Sequence, residues 1–152
     1  MPQEEDGKMG IRVERIEQRL KELDEALHEL NRYRNITPEA LRCDLSLKWI
    51  IERGLISAAS SIFDVSDHIL SSQFGFYSNT YDESLLGLFD KKVISEDIFQ
   101  QLKGLGSLRN ALVHRYMEIS PDQLVEDYHK AMIVFPRFAM EILSWIDSAP
   151  AS

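Results

Sequence analysis

The chain is poor in cysteine, in basic residues and in long apolar runs. Cys43 is its only cysteine, which excludes an internal disulfide and a cysteine-based zinc cluster; we expect it to be a small buried residue. No uninterrupted apolar run approaches the roughly 20 residues that span a bilayer, so we expect no membrane segment. The acidic start, Met1 to Asp6, lacks the basic and apolar regions of a secretory signal, and we therefore expect a cytoplasmic protein.

The charge balance is acidic. Seventeen Lys and Arg residues stand against 25 Asp and Glu, which gives a formal net charge of −8 in 152 residues. A nucleic-acid-binding surface normally carries a basic patch, so this balance counts against a broad one. The acidic remainder fits a basic partner equally well. Five basic residues nevertheless fall in the third of the chain that holds the candidate site described below: Lys91, Lys92, Lys103, Arg109 and Arg115.

Apolar residues recur at three- and four-residue steps along most of the chain, and no alternating stretch of useful length predicts a strand. We predict an all-α, up-and-down bundle of four or five helices that forms one domain over residues 11–147. A disordered tail at 1–10 and a frayed end at 148–152 complete the prediction. The predicted helices are one over Val13–Leu30, one from Thr37-Pro38 to about Ser71, a short one from Thr80, one from Ser95 into the candidate site, and one from Ser120-Pro121 that Pro136 should kink or interrupt.

Glycines inside the predicted helices indicate close helix contacts. Gly54, followed by a run of small residues, offers a face on which another helix can approach. That helix belongs either to the same chain or to a second copy in a symmetric dimer. Gly104 and Gly106 weaken their helix intrinsically, so we expect close packing there against another helix, from the same chain or from a second subunit.

The candidate site is the helical run from Gly104 to Tyr116. Arg109 carries a permanently charged, forked donor that suits a phosphate, and His114 has a side chain that transfers protons near neutral pH. Together they suit the cleavage of a phosphodiester. On a helix they point roughly 140° apart. Since His114 and Tyr116 share one side only in an extended segment, we expect the helix to end near Val113 or His114.

The same residues also allow a purely structural interpretation. Arg109 then caps a carbonyl or pairs with an acid, His114 is a satisfied helix-end histidine, and Tyr116 packs. Asp64 and His68, four residues apart on one helix face, are expected to form a local pair, with a supporting position near the site as the alternative. No His, Asp and Glu spacing suits a metal ion, so we expect neither a metal nor another cofactor.

Arg109-Asn110-(x3)-His114-x-Tyr116 resembles the R-x4-H-x-Y motif of the HEPN superfamily, specifically of HepT-type toxins paired with MntA-type nucleotidyltransferase antitoxins. The resemblance extends over roughly residues 11–147. It implies a HEPN-like bundle that acts as a metal-independent endoribonuclease, the toxin of a type VII toxin–antitoxin system. It also implies that His114 moves protons, that Arg109 stabilises phosphoryl charge and that Asn110 orients the histidine or the phosphate. Four further stretches carry the likeness: Glu52–Leu55, Ile62–Leu70, Thr80–Ser84 and Val93–Ser95.

The resemblance implies partners as well. They are an RNA substrate, a second copy in a homodimer whose two motifs line one cleft, and an MntA-type nucleotidyltransferase, in a hetero-oligomer of the two proteins. That enzyme would transfer AMP to Tyr116 and so silence the toxin. Two alternatives remain open at this point. One is a non-catalytic HEPN module that binds a nucleotide or holds the nucleotidyltransferase, and the other is a helical dimerisation scaffold.

Overall fold

A computed structural model describes residues 12–114 and 119–148. Over these two ranges the chain is helical and contains no strand, which confirms the all-α prediction. The helices outnumber the four or five expected, because two of the predicted helices are each divided. None of the described helices is long and apolar enough to cross a membrane. The α-helices are α1 Val13–Leu30, α2 Pro38–Cys43, α3 Leu45–Phe74, α4 Tyr81–Asp90, α5 Glu96–Leu102, α6 Leu105–His114 and α7 Pro121–Ser148, with a 3-10 turn at Asn31–Tyr33.

Both divisions have local causes. Asp44 adopts an extended backbone (φ −133°, ψ 99°), and its carboxylate accepts from the backbone N–H of Leu47 at 3.1 Å, so it ends α2 and caps α3. Lys103 is also extended, and Gly104 has φ +90°, a left-handed value that glycine adopts readily. The space where a Cβ of Gly104 would stand is open. No part of the described chain packs on Gly104, and this glycine makes the turn between α5 and α6. The close packing predicted there is therefore wrong for a helix of the same chain.

The predicted helix starts are confirmed. At the four starts for which a cap was predicted, a side-chain oxygen accepts a hydrogen bond from the backbone N–H three residues later, which satisfies one of the free donors of the first turn. The four caps are Thr37 to Ala40 at 3.1 Å, Thr80 to Glu83 at 3.1 Å, Ser95 to Ile98 at 3.2 Å and Ser120 to Gln123 at 3.1 Å.

Helices α1 and α3 pack antiparallel. A Cβ at Gly54 would lie only 2.5 Å from Leu30 Cδ2, so the end of α1 rests directly on this glycine. At the other end, the backbone N–H of Arg12 donates to His68 Nε2 at 3.2 Å. Successive residues of α1 therefore lie beside α3 residues of decreasing number, so the two helices run in opposite directions. The close approach predicted for Gly54 is confirmed, with a helix of the same chain as its partner.

Helix α7 closes the core against the end of α1. Tyr128 is fully buried, and its hydroxyl donates to the carbonyl oxygen of Leu30 at 2.6 Å. Burial raises the pKa of this phenol above its ordinary value. The helix runs through Pro136 without interruption. The buried rings of Phe135 and Phe138 on either side of the proline anchor it there.

Cys43 is exposed, so its predicted burial is wrong. It is the last residue of the short α2, in which Leu41 is the residue that enters the core. A helix of little more than one turn presents only a narrow face to its neighbours, and Cys43 is not on it.

Candidate functional site

Helix α6, as described, runs to His114 and carries Arg109, Asn110 and His114. Because residues 115–118 lie outside the described ranges, the predicted end of the helix near Val113 or His114 stays a prediction. Its first turn lies unusually close to α4. A Cβ at Gly106 would stand 2.6 Å from Tyr81 Cβ, a distance that real Cβ atoms do not reach. The close packing predicted for Gly106 is therefore confirmed. Because Gly106 and Arg109 are three residues apart on one helix face, the same contact brings Arg109 to Tyr81.

Arg109 lies over the ring of Tyr81. Its guanidinium carbon is 5.4 Å from the ring centre, within the range of a cation–π interaction. The Tyr81 ring also stacks on Phe63 of α3, with ring centres 4.3 Å apart and planes 30° apart. Among the residues that the structure describes, Arg109 forms no ion pair. The arginine is half-buried and is held by an aromatic pair.

A polar cavity of about 390 Å³ opens beside Asn110; we call it the Asp67 cup. Asp67 Oδ1 accepts from Ser84 Oγ at 2.6 Å and from Ser78 Oγ at 3.0 Å, and Ser84 is only 1% exposed. Asp67 Oδ2 accepts no hydrogen bond within the described ranges. The cup thus presents hydroxyl, amide and carboxylate groups next to the motif. Its lining is Asp67, Ser78, Asn79, Thr80, Tyr81, Ser84 and Asn110.

The structure describes His114 but not Tyr116. His114 is exposed at the last position of α6. Tyr116 falls in the stretch 115–118, outside the described residues, so its position beside the histidine stays a prediction. The next described helix, α7, begins at Pro121. Residues 115–118 lie between the two helices, so the predicted corner at the motif stays a prediction.

A second polar groove, of about 270 Å³, runs between α1 and α3; we call it the arginine groove. Arg15 and Arg19 line one wall, and Asp64, Asp67 and His68 line the other. The groove and the Asp67 cup share Asp67, so the two cavities adjoin.

The expected pair of Asp64 and His68 is absent from the described structure. Asp64 Oδ2 lies 3.8 Å from Arg19 Nε, while His68 accepts from the backbone of Arg12 and has its Nδ1 3.4 Å from Ser72 Oγ. Each of the two side chains therefore turns to its own partners. Partial burial lowers the pKa of His68, and the charges of the nearby arginines lower it further.

No group of three His, Cys, Asp or Glu residues is placed to hold a metal ion in the part of the chain that the structure describes. The polar groups near the motif are the guanidinium of Arg109, which suits an anion, and two serine hydroxyls that donate to the Asp67 carboxylate.

Sequence reasoning missed Tyr81, Asp67 and Ser84. Gly106 gave the one usable signal, since it predicted that something packs closely one turn before Arg109. It did not identify Tyr81, which lies 28 residues before Arg109 on another helix. Asp67 and Ser84 follow no local pattern, because their contact joins α3 to α4.

The comparisons with known proteins agree with this fold. The family model described as "Ribonuclease HepT-like" matches residues 23–142, and the chain belongs to that family of HEPN proteins. A curated relative is the tRNA nuclease HepT of Aphanizomenon flos-aquae (strain 2012/KM1/D3). It is 28% identical over 131 residues, which cover 86% of this chain and 89% of the relative.

A solved structure shares the fold. It is described as the cytosolic protein of unknown function YutE from Bacillus subtilis. The match has a TM-score of 0.75 and covers 94% of this chain and 97% of the other, at 20% identity. At that identity the likeness supports the fold alone.

Proposed function

We propose that this protein is the toxin of a type VII HEPN/MNT toxin–antitoxin system and cleaves RNA without a metal ion. Arg109, Asn110 and His114 form its catalytic group. The observation that carries the proposal is the half-buried Arg109 on Tyr81, in the same helix that ends at His114. Membership of the HepT-like ribonuclease family supports the reaction class, and the curated relative named as a tRNA nuclease makes tRNA the first substrate to try.

The chemistry is an internal transfer on the RNA strand. The 2′-oxygen attacks the adjacent phosphorus and the bond to the 5′-oxygen breaks, which leaves a 2′,3′-cyclic phosphate and a 5′-hydroxyl. His114 takes the proton of the 2′-OH or gives a proton to the leaving 5′-oxygen. Arg109 stabilises the charge that develops on the phosphoryl oxygens, a task for which its fixed charge and fork suit it. Asn110 orients the phosphate or the histidine from the mouth of the Asp67 cup.

One histidine per motif is few for two proton transfers. A two-fold dimer that places two motifs along one cleft supplies a second histidine, and we propose that arrangement for the active form.

Tyr116 is the proposed switch. Its phenol oxygen attacks the α-phosphorus of ATP on an MntA-type nucleotidyltransferase, pyrophosphate leaves and the phenol loses its proton. The attached AMP adds bulk and negative charge two residues after His114, where the RNA phosphate has to bind. Like-charge exclusion then silences the toxin.

The alternative is a non-catalytic module that holds a nucleotide or the nucleotidyltransferase. The Asp67 cup favours it specifically, because a polar cavity beside an arginine also binds a nucleotide without turnover. In that case the protein shows saturable nucleotide affinity and no RNA cleavage.

The test is cleavage of tRNA and of a second defined RNA in the presence of chelator, with analysis of the product ends. We expect the wild type to leave cyclic phosphate ends and His114→Ala to lose activity by about a hundredfold or more. The control is His28→Ala, which changes an exposed histidine on α1 and should cleave like the wild type. Absence of cleavage by folded, dimeric wild type on every RNA would favour the non-catalytic module.

The switch is tested separately, with ATP and a nucleotidyltransferase of the MntA type. Mass spectrometry should find one AMP on the wild type, located on Tyr116, and none on Tyr116→Phe. Tyr77→Phe is the matched control, since Tyr77 is 74% exposed and should leave the modification unchanged. AMP on Tyr116→Phe would place the modification elsewhere.

A further inference from the structure

The Asp67 cup lies directly beside the residues that are proposed to cleave RNA. Tyr81, whose ring centre is 5.4 Å from the guanidinium carbon of Arg109, lines the cup, and so does Asn110, the residue next to Arg109. We propose that the cup binds one unpaired base of the RNA beside the cleaved phosphate, and that Asp67 selects guanine there. The inference rests on the proposed function, because it assigns the base specificity of the same site.

The carboxylate of Asp67 is held through one of its two oxygens. Oδ1 accepts from Ser84 Oγ at 2.6 Å and from Ser78 Oγ at 3.0 Å, and the two serine oxygens lie 2.7 Å apart. Ser84 is only 1% exposed, so the anchor belongs to the packed contact between α4 and α3. Two donors use both lone pairs of Oδ1. The orientation of the carboxylate is therefore set before a ligand arrives, which lowers the entropy lost on binding.

The second oxygen of Asp67, Oδ2, is available as an acceptor. It accepts no hydrogen bond from residues 12–114 and 119–148, and Asp67 forms no ion pair with them. An ionised carboxylate accepts hydrogen bonds and donates none. The group that binds at Oδ2 is therefore a neutral donor, because a phosphate placed there would meet a like charge.

Guanine has the donor pattern that fits this acceptor. Its N1–H and its N2 amino group stand side by side on one edge, whereas adenine and cytosine carry one amino group there and uracil carries one N–H. Oδ2 has two lone pairs and can accept both donors of guanine. Asn79 lines the same cup, and its side-chain amide can donate to O6 on the same edge. Unpaired bases of RNA are commonly recognised through such edge contacts.

The size of the cup also suits a base. Its volume of about 390 Å³ lies within the range of small-molecule sites. The other neutral donor of an RNA strand is a ribose hydroxyl, and an internal nucleotide offers one of these whatever its base. Base selection and ribose binding therefore differ in whether the identity of the base changes the affinity.

The decisive variant is Asp67→Asn, which keeps the size of the side chain and changes one acceptor. The two serine hydroxyls favour the amide oxygen at the position of Oδ1, so the amino group takes the position of Oδ2. A donor then faces the donors of guanine. The cup keeps its shape and loses its selectivity.

Binding is measured by fluorescence anisotropy with an oligouridine that carries one guanine at its centre, and with the same oligomer carrying inosine there. Inosine lacks only the N2 amino group of guanine. All riboses carry 2′-O-methyl groups, so the 2′-oxygen cannot cleave the RNA and no ribose hydroxyl can donate. We expect the wild type to bind the guanine oligomer about tenfold more tightly than the inosine oligomer, and Asp67→Asn to bind both equally.

Asp90→Asn is the matched control. Asp90 is exposed at the last position of α4 and does not line the cup, so its replacement makes the same change of charge elsewhere. This variant should keep the wild-type preference for guanine. Ser84→Ala removes one of the two donors to Oδ1 and should reduce the preference, because the carboxylate is then free to turn. Thermal unfolding of each variant checks that it is folded.

Equal affinity of the wild type for the two oligomers overturns the base selection and leaves a ribose hydroxyl as the donor. A wild-type preference that persists in folded Asp67→Asn, or that disappears equally in Asp90→Asn, overturns it as well.

Cleavage of unmodified RNA is measured in parallel and separates base selection from the nuclease activity. In a wild type that cleaves, sequencing of the product ends should find guanine enriched at one position beside the cut. A guanine preference that depends on Asp67, in a protein that cleaves no RNA, retains the base site and rejects the nuclease. Cleavage with equal affinities for the two oligomers retains the nuclease and rejects the base selection.

Discussion

The guanidinium carbon of Arg109 lies 5.4 Å from the centre of the Tyr81 ring, and that ring lies on Phe63. The contact joins three helices, because Arg109 belongs to α6, Tyr81 to α4 and Phe63 to α3. A long arginine side chain has many rotamers in water, and an aromatic support restricts them before any phosphate arrives. The position of the proposed anion-binding group thus depends on residues outside the motif.

Replacement of Tyr81 by Leu should slow RNA cleavage, because it removes the aromatic face but keeps an apolar side chain on Phe63. A partly exposed cation–π interaction is worth about 0.5 to 2 kcal/mol. If all of it serves the transition state, kcat/KM falls by about two- to thirtyfold. The measurement is steady-state cleavage, with the folded fraction checked by circular dichroism.

Tyr81→Phe is the control, since it keeps the ring and removes only the hydroxyl. It should cleave at close to the wild-type rate. If Tyr81→Leu is folded and equally fast, Arg109 does not depend on this ring.

Gly106→Ala should destabilise the protein although alanine is the better helix former. The added Cβ would meet Tyr81 Cβ at 2.6 Å, so α6 must move away from α4. Such overpacking costs about 1 to 3 kcal/mol, and the gain of about 1 kcal/mol in helix propensity offsets part of it. We expect a net loss of up to about 2 kcal/mol in the free energy of unfolding, measured with urea.

Ser107→Ala tests whether the contact is responsible. Ser107 is the next residue of α6 and is exposed, so its replacement should change the free energy of unfolding by no more than about 0.5 kcal/mol. Equal stability of Gly106→Ala and the wild type would mean that Tyr81 can move away from the added methyl group without loss of unfolding free energy.

The parts of this structure that sequence reasoning found are those with local or periodic causes. The spacing of Ile16, Leu20, Leu23, Leu27 and Leu30 predicted α1, and all five are buried. The motif itself is a local pattern, and three of its residues, Arg109, Asn110 and His114, lie on the one helix α6.

The features that were not predicted from the sequence depend on which helices contact each other. Asp44 has the chemistry of a helix cap, but it stands inside a long apolar pattern that reads as one helix, so the break there was overlooked. The contact between Arg109 and Tyr81 and the cluster around Asp67 require knowledge of how α6, α4 and α3 cross. The burial of Cys43 was predicted wrongly because residue type alone does not fix which face of a short helix is covered.

The stability of the protein should fall below a pH of about 6.5 through His68. Its pKa is lowered in the folded protein from the ordinary 6.5, by partial burial and then by Arg15 and Arg12. Between the two pKa values the unfolded chain binds more protons, so stability rises with pH in that window and falls as the pH is lowered through it. Urea unfolding at pH values on either side of 6.5 measures the effect.

His68→Gln removes the titrating group and keeps an acceptor for the backbone N–H of Arg12, so this part of the pH dependence should disappear. His28→Gln, at an exposed position on α1, should keep the wild-type dependence. Identical pH profiles for His68→Gln and the wild type would exclude His68 as the source.

Tyr128→Phe should destabilise the fold without changing the chemistry at the motif. The phenol is fully buried, and its hydroxyl donates to the carbonyl of Leu30 at 2.6 Å. The variant leaves that acceptor without its donor inside the core, which costs about 1 to 3 kcal/mol in the free energy of unfolding. Since Leu30 lies at the end of α1 away from the arginine groove, the cleavage rate per folded molecule should stay at the wild-type value.

Tyr77→Phe, at a 74% exposed position, should change the stability by no more than about 0.5 kcal/mol. A Tyr128→Phe protein as stable as Tyr77→Phe would show that water or a shifted backbone satisfies the Leu30 carbonyl, whereas a loss of cleavage in the folded variant would connect the core of α7 to the site.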